Sequence, residues 1–274
     1  LDAVVVTISD AFGVAVAATS LSAIGGATSG VVTVENAIAI SGKAVEVTAA
    51  LVTVETLVVL SAAATVTITG AISAADLNSI AAATTGVVTA TLDPATALSD
   101  AMVSALTNVD AADVITLAST VITADATALV ALNTLADTKS FNNVATITEA
   151  VASIGTDAAT VLAALVIAPG AAVTITGAIS AANLDLVANA TTGAVTATVV
   201  DGAVAATLTA LGNVGDDDVI TFTTTDTSAD ASDLVALGAK VDTFTTTDVA
   251  TITEAAASIG TDAATVLAAL VIAP

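Results

Sequence analysis

Apolar residues and threonines alternate along eight short segments, and this is the clearest pattern in the chain. The segments are VTIT at 66, VTAT at 88, ITLA at 115, ATIT at 145, VTIT at 173, VTAT at 195, ITFT at 220 and ATIT at 250. Successive side chains of a β-strand point to opposite faces. Each segment therefore predicts a strand with one apolar face and one threonine face.

The alternation also predicts which side chains of these strands are turned inward. We expect the following apolar side chains to point toward helices: Val66, Ile68, Val173, Ile175, Ala145, Ile147, Ile220 and Phe222. On the opposite face we expect parallel ladders of threonine, from Thr67, Thr69, Thr174, Thr176, Thr146, Thr148, Thr221 and Thr223. Threonine is β-branched and its hydroxyl tolerates water, so a wetted sheet face is the simplest interpretation.

Helical patterns separate consecutive strands. A serine or threonine followed two or three residues later by an acid predicts a helix start, as at Ser73, Thr123 and Ser228. Leu77 and Ile80 then recur at helical spacing. Each predicted helix therefore presents one narrow apolar stripe.

A longer repeat contains these short elements. VATITEAVASIGTDAATVLAALVIAP at 144–169 recurs at 249–274 with a single difference, and VTITGAISAADLNSIAAATTGVVTAT from 66 recurs in diverged form from 173. LSAIGGATSGVVTV from 21 resembles LNSIAAATTGVVTA from 77. We therefore divide the chain into a diverged partial repeat at 1–65 and two long repeats at 66–172 and 173–274, all in one continuous structure.

Predicted strands follow one another at intervals of 22 to 30 residues. A strand–helix module of this size cannot bury its own apolar face, so modules must stack, with their strands pairing in parallel. The predicted fold is an open right-handed α/β solenoid with one parallel sheet and helices on one side. A parallel β-helix-like solenoid is the alternative. In the 1–65 region VVTVEN and AIAIS leave no room for a helix between them, so the number of modules there is not predicted.

Composition narrows the function. The chain has 26 acidic and 3 basic residues, a net charge of −23 and 56% hydrophobic residues, which excludes intrinsic disorder and argues against binding to nucleic acids or anionic membranes. With no His and no Cys, the usual general base, thiolate nucleophile and zinc ligands are missing. We expect neither an enzyme nor a membrane-inserted protein, and we interpret Lys139 and Lys240 as surface residues.

Calcium is the one cofactor that the acids suggest, because hard cations prefer carboxylate oxygens. The candidate ligands are Asp216, Asp217, Asp218 and Asp226, with Asp230 and Asp233 following. The sequence contains no EF-hand loop and no GGxGxD repeat. Solvated turns and helix caps are the competing interpretation of these aspartates.

Two phrases carry a resemblance to a known class of repeats, namely TITGAISAADLNSIAAATTGVVTAT and SADASDLVALGAKVDTFTTTDVATITEAAASIGTDAATVLAAL. They resemble repeats of very large cell-surface or secreted proteins of cyanobacteria. The resemblance implies an extracellular or cell-surface location and a long tandem array. It carries over no catalytic residue.

Together these features predict a non-enzymatic structural repeat protein, an acidic segment of an extracellular filament, surface layer or appendage. Neither end of the sequence supplies a polar cap, so we expect partners at the ends: adjoining repeats of a longer chain, or other copies of this one. The alternative is an adhesive module whose threonine face binds ice or a glycan. A carboxylate hydrolase is a distant third hypothesis.

Overall fold

The computed structural model describes residues 1–61, 63–93, 97–117, 122–135, 141, 143–150, 156–255 and 261–273 of the chain. The chain divides into two compact units, Leu1–Val144 and Ala145–Pro274. This boundary falls inside the predicted long repeat 66–172, and the division by repeats stays a prediction. Lys139, predicted to be a surface residue, lies outside the described residues.

Short strands and helices alternate in the first unit. The strands are β1 (Val6–Ile8), β2 (Ala15–Ala17), β3 (Val32–Val34), β4 (Ala39–Lys43), β5 (Val58–Leu60), β6 (Thr65–Ile72), β7 (Val88–Leu92), β8 (Ala97–Leu98), β9 (Val114–Leu117) and β10 (Ile122–Asp125). The helices are α1 (Ala18–Gly25), α2 (Ala44–Leu51), α3 (Ala74–Ala83), α4 (Asp100–Ser104) and α5 (Ala126–Leu135), with a 3₁₀ turn at Val54–Thr56.

The second unit continues the same alternation. Its strands are β11 (Val144–Ala150), β12 (Ala172–Ile179), β13 (Val195–Val199), β14 (Val219–Thr223), β15 (Ser228–Asp230), β16 (Thr243–Thr245) and β17 (Thr251–Thr253). Its helices are α6 (Thr156–Ile167), α7 (Ala181–Ala190), α8 (Val204–Ala210), α9 (Ala231–Gly238) and α10 (Thr261–Ile272).

The protein has an α/β fold with open, mostly parallel sheets, as the alternation predicts. In the first unit the strand orders are β1-β3-β5, β2-β4-β6-β7-β9 and β8-β10, and in the second unit they are β11-β12-β13-β14-β16 and β15-β17. The prediction of a single sheet is wrong. Most helices follow two short strands rather than one, and the two strands of such a pair join different sheets. We call one strand or strand pair, together with the helix that follows it, a module.

All eight threonine-rich segments form strands, and their burial mostly follows the predicted alternation. In β6, Val66 and Ile68 are buried and Thr67 and Thr69 are exposed. The buried apolar side chains of the other strands include Val173, Ile175, Ile147, Ile220 and Phe222.

Ala145 was expected inside but is exposed, and Val144 is buried instead. The backbone N–H of Val144 donates to the carbonyl of Phe141 in a turn, and pairing of β11 with β12 begins only at Thr146. The larger Val144 side chain takes the buried position, where it removes more apolar surface from water.

The acidic residues correctly predict where the helices begin, but the serine or threonine before each of them is not always the N-cap. Ser73 caps α3 as predicted, accepting from the backbone N–H of Asp76. Ser228 and Thr123, however, lie in strands, and the aspartates that follow them, Asp230 and Asp125, accept the backbone N–H groups at the starts of α9 and α5. Aspartate is itself among the best N-cap residues, and its charge complements the helix dipole.

The diverged first 65 residues contain two full modules with helices α1 and α2. As VVTVEN and AIAIS predict, β3 and β4 follow each other without a helix between them. They are the two strands of one module and lie in different sheets, since β3 pairs with β1 and β4 pairs with β2.

A Thr-x-Gly sequence after α3 and α7 connects each module to the preceding one by hydrogen bonds of the threonine side chain. Thr84 Oγ1 donates to the Ala64 carbonyl and accepts the N–H of Gly86. Thr191 makes the same pair of bonds with Ala171 and Gly193. Thr28 and Gly30 repeat the arrangement after α1.

The glycine of this sequence is needed for close approach. A Cβ placed on Gly193 would lie 2.6 Å from the backbone nitrogen of Ala172, and one on Gly86 would lie 2.3 Å from the Ala64 carbonyl oxygen. These contacts are with backbone atoms, which cannot move away as a flexible side chain can. A side chain at these positions would separate two paired modules.

We therefore expect Gly193→Ala to lower the free energy of unfolding by about 1–3 kcal/mol, the usual cost of overpacking. Gly170→Ala is the control, because the nearest atom to its added Cβ would be Thr192 Oγ1 at 3.9 Å. Urea unfolding followed by circular dichroism measures both. Equal effects of the two substitutions would contradict the close-approach argument.

Candidate calcium ligands and module junctions

Asp218, a predicted calcium ligand, lies before β14 and is buried, with 8% of its surface exposed. Its Oδ1 accepts the backbone N–H of Val195 at 2.7 Å, and its Oδ2 accepts the N–H of Gly215 at 2.9 Å. Val195 begins β13, a strand of the preceding module. The carboxylate thus joins two modules, through charge-assisted hydrogen bonds that are stronger than neutral ones.

The first unit contains the same junction at Asp113, which is 4% exposed. Asp113 accepts the N–H of Val88 at 2.7 Å and that of Asp110 at 3.0 Å. Sequence reasoning missed this role, although a signal was present: the tetrapeptide DVIT occurs at both 113 and 218. An aspartate directly before a strand at equivalent repeat positions indicates a structural acceptor.

The other predicted calcium ligands have different surroundings. Asp226 is half-buried and accepts the N–H of Val204 at 2.7 Å, whereas Asp216 and Asp217 are exposed. Within the part of the chain that the structure describes, no three acidic side chains come together in a group that could hold a metal ion. Asp216, Asp217, Asp218 and Asp226 are not brought together in such a group, and calcium binding by them stays a prediction.

Asp230 and Asp233, which follow in the sequence, lie at the start of α9. The Asp230 side chain accepts the backbone N–H groups of Ser232 at 3.0 Å and Asp233 at 3.4 Å. The hydrogen bond from the Ser232 hydroxyl is the main cause that lowers the pKa of the Asp230 carboxyl below its ordinary value, and the backbone bonds act in the same direction. Partial burial opposes them by raising the pKa.

Threonine ladders exist in the second unit but are short. Thr148 pairs with Thr174 and Thr174 with Thr196, after which the ladder meets Val219. A second ladder joins Thr198, Thr221 and Thr243, and it meets Ala178 in β12.

A register shift in β12 separates the two ladders. Between its pairs with Thr196 and Thr198, β12 advances four residues, from Thr174 to Ala178, while β13 advances two. Gly177 lies in this bulge with a φ of 96°, and Gly70 has a φ of 84° at the same place in β6. Glycine accepts this left-handed conformation without the steric cost that a side chain would add.

Two open concavities are lined by described residues of the first unit. The larger, of about 540 Å³, is lined by Lys43, Ala44, Val45, Thr69, Gly70 and Ala71. The smaller, of about 280 Å³, is lined by Val103, Ser104, Leu106, Thr107, Val109, Ala131, Thr134 and Leu135. These linings offer one amine and a few hydroxyls, and Glu46 lies close to the first of them, since its Oε2 accepts the backbone N–H of Lys43 at 2.8 Å.

Lys240 is half-buried rather than fully on the surface, and its Nζ donates to the Val214 carbonyl at 3.4 Å.

Among the described helices, none combines the length and the hydrophobicity needed to cross a bilayer.

Comparisons of the chain with protein-family models, with curated proteins and with solved structures give no match. Function must therefore be inferred from the module contacts themselves.

Removing the Asp218 carboxylate should leave the buried Val195 N–H without an acceptor. We expect Asp218→Ala to reduce the free energy of unfolding by about 1–3 kcal/mol. The adjacent Asp217→Ala is the control, because Asp217 is exposed and its substitution should change stability by less than about 0.5 kcal/mol. Thermal unfolding of both variants, with and without calcium, is the measurement. A larger loss for Asp217→Ala, seen only in calcium, would favour a metal site instead.

The lowered pKa of Asp230 gives a pH-dependent contribution to stability. Asp230→Ala should cost about 1 kcal/mol at neutral pH, the usual value of an N-cap. The carboxylate stabilises the folded state fully above its ordinary pKa of about 3.9, and this stabilisation is lost as the pH falls through the lower folded-state pKa. The difference between the wild type and Asp230→Ala should thus shrink below about pH 4.

The uncharged cap Asp230→Asn provides the control. Its stability difference from Asp230→Ala should stay constant over the same acid range, because neither side chain titrates. Denaturant titrations across the pH range test this, and a gap between wild type and Asp230→Ala that persists at the lowest pH would contradict the assignment.

Proposed function

We propose that the chain is a non-enzymatic structural repeat protein, an open right-handed α/β solenoid whose stacked modules form an acidic segment of an extracellular filament, surface layer or appendage. The observation that carries this proposal is the repeated junction between neighbouring modules, built at Asp113 and again at Asp218 from the same backbone-directed bonds. Repeats that contact mainly their neighbours stack into an extended array.

The order in which the helices contact one another along the sequence supports the stacking of modules. Within the first unit α1 contacts α2, and α2 contacts α3; within the second unit α6, α7, α8, α9 and α10 contact one another in sequence. Parallel strands of successive modules pair in the same order. Each module therefore has its sequence neighbours as its main contacts, and this supports the proposed solenoid. Right-handed connection is the usual hand of parallel crossovers.

Many polar side chains bind the protein's own backbone. The carboxylates that accept backbone N–H groups include Glu46, Asp110, Asp113, Asp125, Asp185, Asp218, Asp226, Asp230 and Asp242. This use accounts for a substantial part of the acidic composition without a substrate. Location outside the cell rests on the resemblance to surface repeats alone.

The alternative function, a threonine face that binds ice or a glycan, has less support. Each ladder described in the second unit holds three threonines before Val219 or Ala178 interrupts it. A repeating ligand lattice needs a flat and regular array, and the bulge at Gly177 shifts the register in the middle of the face.

The net charge of the chain makes the proposed assembly testable, because it predicts how assembly depends on salt. A net charge of −23 should oppose contact between copies at low ionic strength, and the screening length shortens from about 10 Å at 0.1 M salt to about 3 Å at 1 M. We expect sedimentation velocity and negative-stain imaging to show higher-order species that grow with salt or calcium and separate on dilution or chelation. The full chain remaining monomeric under all these conditions would contradict the proposed assembly.

A further inference from the structure

Helices α6 and α10 share the sequence TDAATVLAALVI but have different surroundings. Leu165 of α6 is 2% exposed, whereas the equivalent Leu270 of α10 is 49% exposed. The next position behaves differently: Val166 is 84% exposed and its equivalent Val271 is 82% exposed. The difference therefore concerns one side of the helix and not the helix as a whole.

That side is a continuous stripe at helical spacing. In α6 it is formed by the buried or half-buried side chains Ala158, Val161, Leu162 and Leu165. The equivalent residues of α10 are Ala263, Val266, Leu267 and Leu270, of which only Val266 is half-buried and the rest are exposed. We call these four the α10 stripe. Ala269 and Ala273 are buried, as are their equivalents Ala164 and Ala168, so burial of the side of the helix that adjoins the stripe is preserved in both copies.

The neighbours of the two helices explain the difference. Helix α6 contacts α7 of the following module, whereas α10 contacts α9 of the preceding one. The α10 stripe is thus the surface that a following module covers in the internal copy. Its natural occupant is a module of the same architecture.

The first module of the chain has the complementary uncovered position. Helices α1, α3 and α7 are equivalent in the repeat, with Leu21, Leu77 and Leu184 aligned and fully buried. Three residues later, Ile80 and Val187 are 0% exposed, but Ile24 of α1 is 36% exposed. Helices α3 and α7 contact the helix of a preceding module, α2 and α6 respectively. Ile24 is thus exposed at the position that is buried in α3 and α7, the helices that contact the helix of a preceding module.

Strand direction favours these two surfaces as partners. Strands β1 and β2 lie at the ends of their sheets in the first unit, and β16 and β17 lie at the ends of theirs in the second. Pairing β16 and β17 with another copy's β1 and β2 continues the parallel arrangement that all described junctions use. Two copies related by a two-fold axis would instead bring identical edges together in antiparallel fashion.

We propose that the α10 stripe binds the first module of a second copy, formed by β1, β2 and α1, with Leu270 and Ile24 at the positions that Leu165 and Val187 occupy in the contacting helices α6 and α7. The inference rests on the proposed function and specifies its contact. The interface is heterologous, so each copy uses one end for each neighbour.

Substitutions on α10 test the stripe. Leu270→Asp should weaken association of the full chain at least about tenfold, because burial of a leucine is worth about 1.5–3 kcal/mol. Val271→Asp is the matched control: it adds the same charge one residue away, on the side that is exposed in both helix copies, and should change association less than about threefold. Sedimentation velocity at high salt measures association, and circular dichroism verifies that both variants fold.

Cross-linking tests the second surface. The chain contains no cysteine, so Leu270→Cys and Ile24→Cys each introduce a single reactive group. A short bismaleimide should link the two variants when they are mixed and should link neither variant to itself. Cross-linking within Leu270→Cys alone would overturn the inference in favour of a symmetric contact.

The outcomes separate this interface from the wider proposal. If the wild type associates but Leu270→Asp and Val271→Asp act alike, the α10 stripe is not the interface, while the structural function stands. If the wild type stays monomeric at every salt and calcium concentration, the assembly and this contact fail together.

Discussion

The structure depends on hydrogen bonds that satisfy the backbone of one module with side chains of the next. Val88 and Val195 begin strands whose N–H groups are buried, and a buried donor without an acceptor is costly. Asp113 and Asp218 supply the acceptors from the following module. A single module therefore cannot satisfy its own backbone, and stability is a property of neighbouring modules together.

The same constraint explains the small side chains. Gly86 and Gly193 approach the backbone of the preceding module so closely that a Cβ would overlap it. Alanine-rich helices allow similarly close layers, filled by many small contacts in place of a few large ones. Phe222 and Phe244 form an aromatic pair within this layer. They occupy paired positions in adjacent strands, and their ring centroids are 5.7 Å apart.

The acidic composition has both a structural and an electrostatic consequence. Carboxylates accept hydrogen bonds but cannot donate them, so they are suited to strand starts and helix N-termini, where N–H groups lack partners. With three basic residues in the chain, most of this charge is uncompensated. The acids that hold modules together therefore also make contact between copies sensitive to salt.

The sequence by itself determined the eight threonine-rich strands, the stripe that includes Leu77 and Ile80, and the equivalence of the two long repeats, because these follow from local periodicity and identity. Tertiary structure decided what periodicity cannot encode: the second strand of each pair, the exposure of Ala145, and the role of Asp218 as an acceptor for Val195. It also gave one helix sequence two environments, with Leu165 buried and Leu270 exposed. Burial and hydrogen bonding depend on which backbone lies opposite a residue, and at Asp218 that backbone belongs to another module.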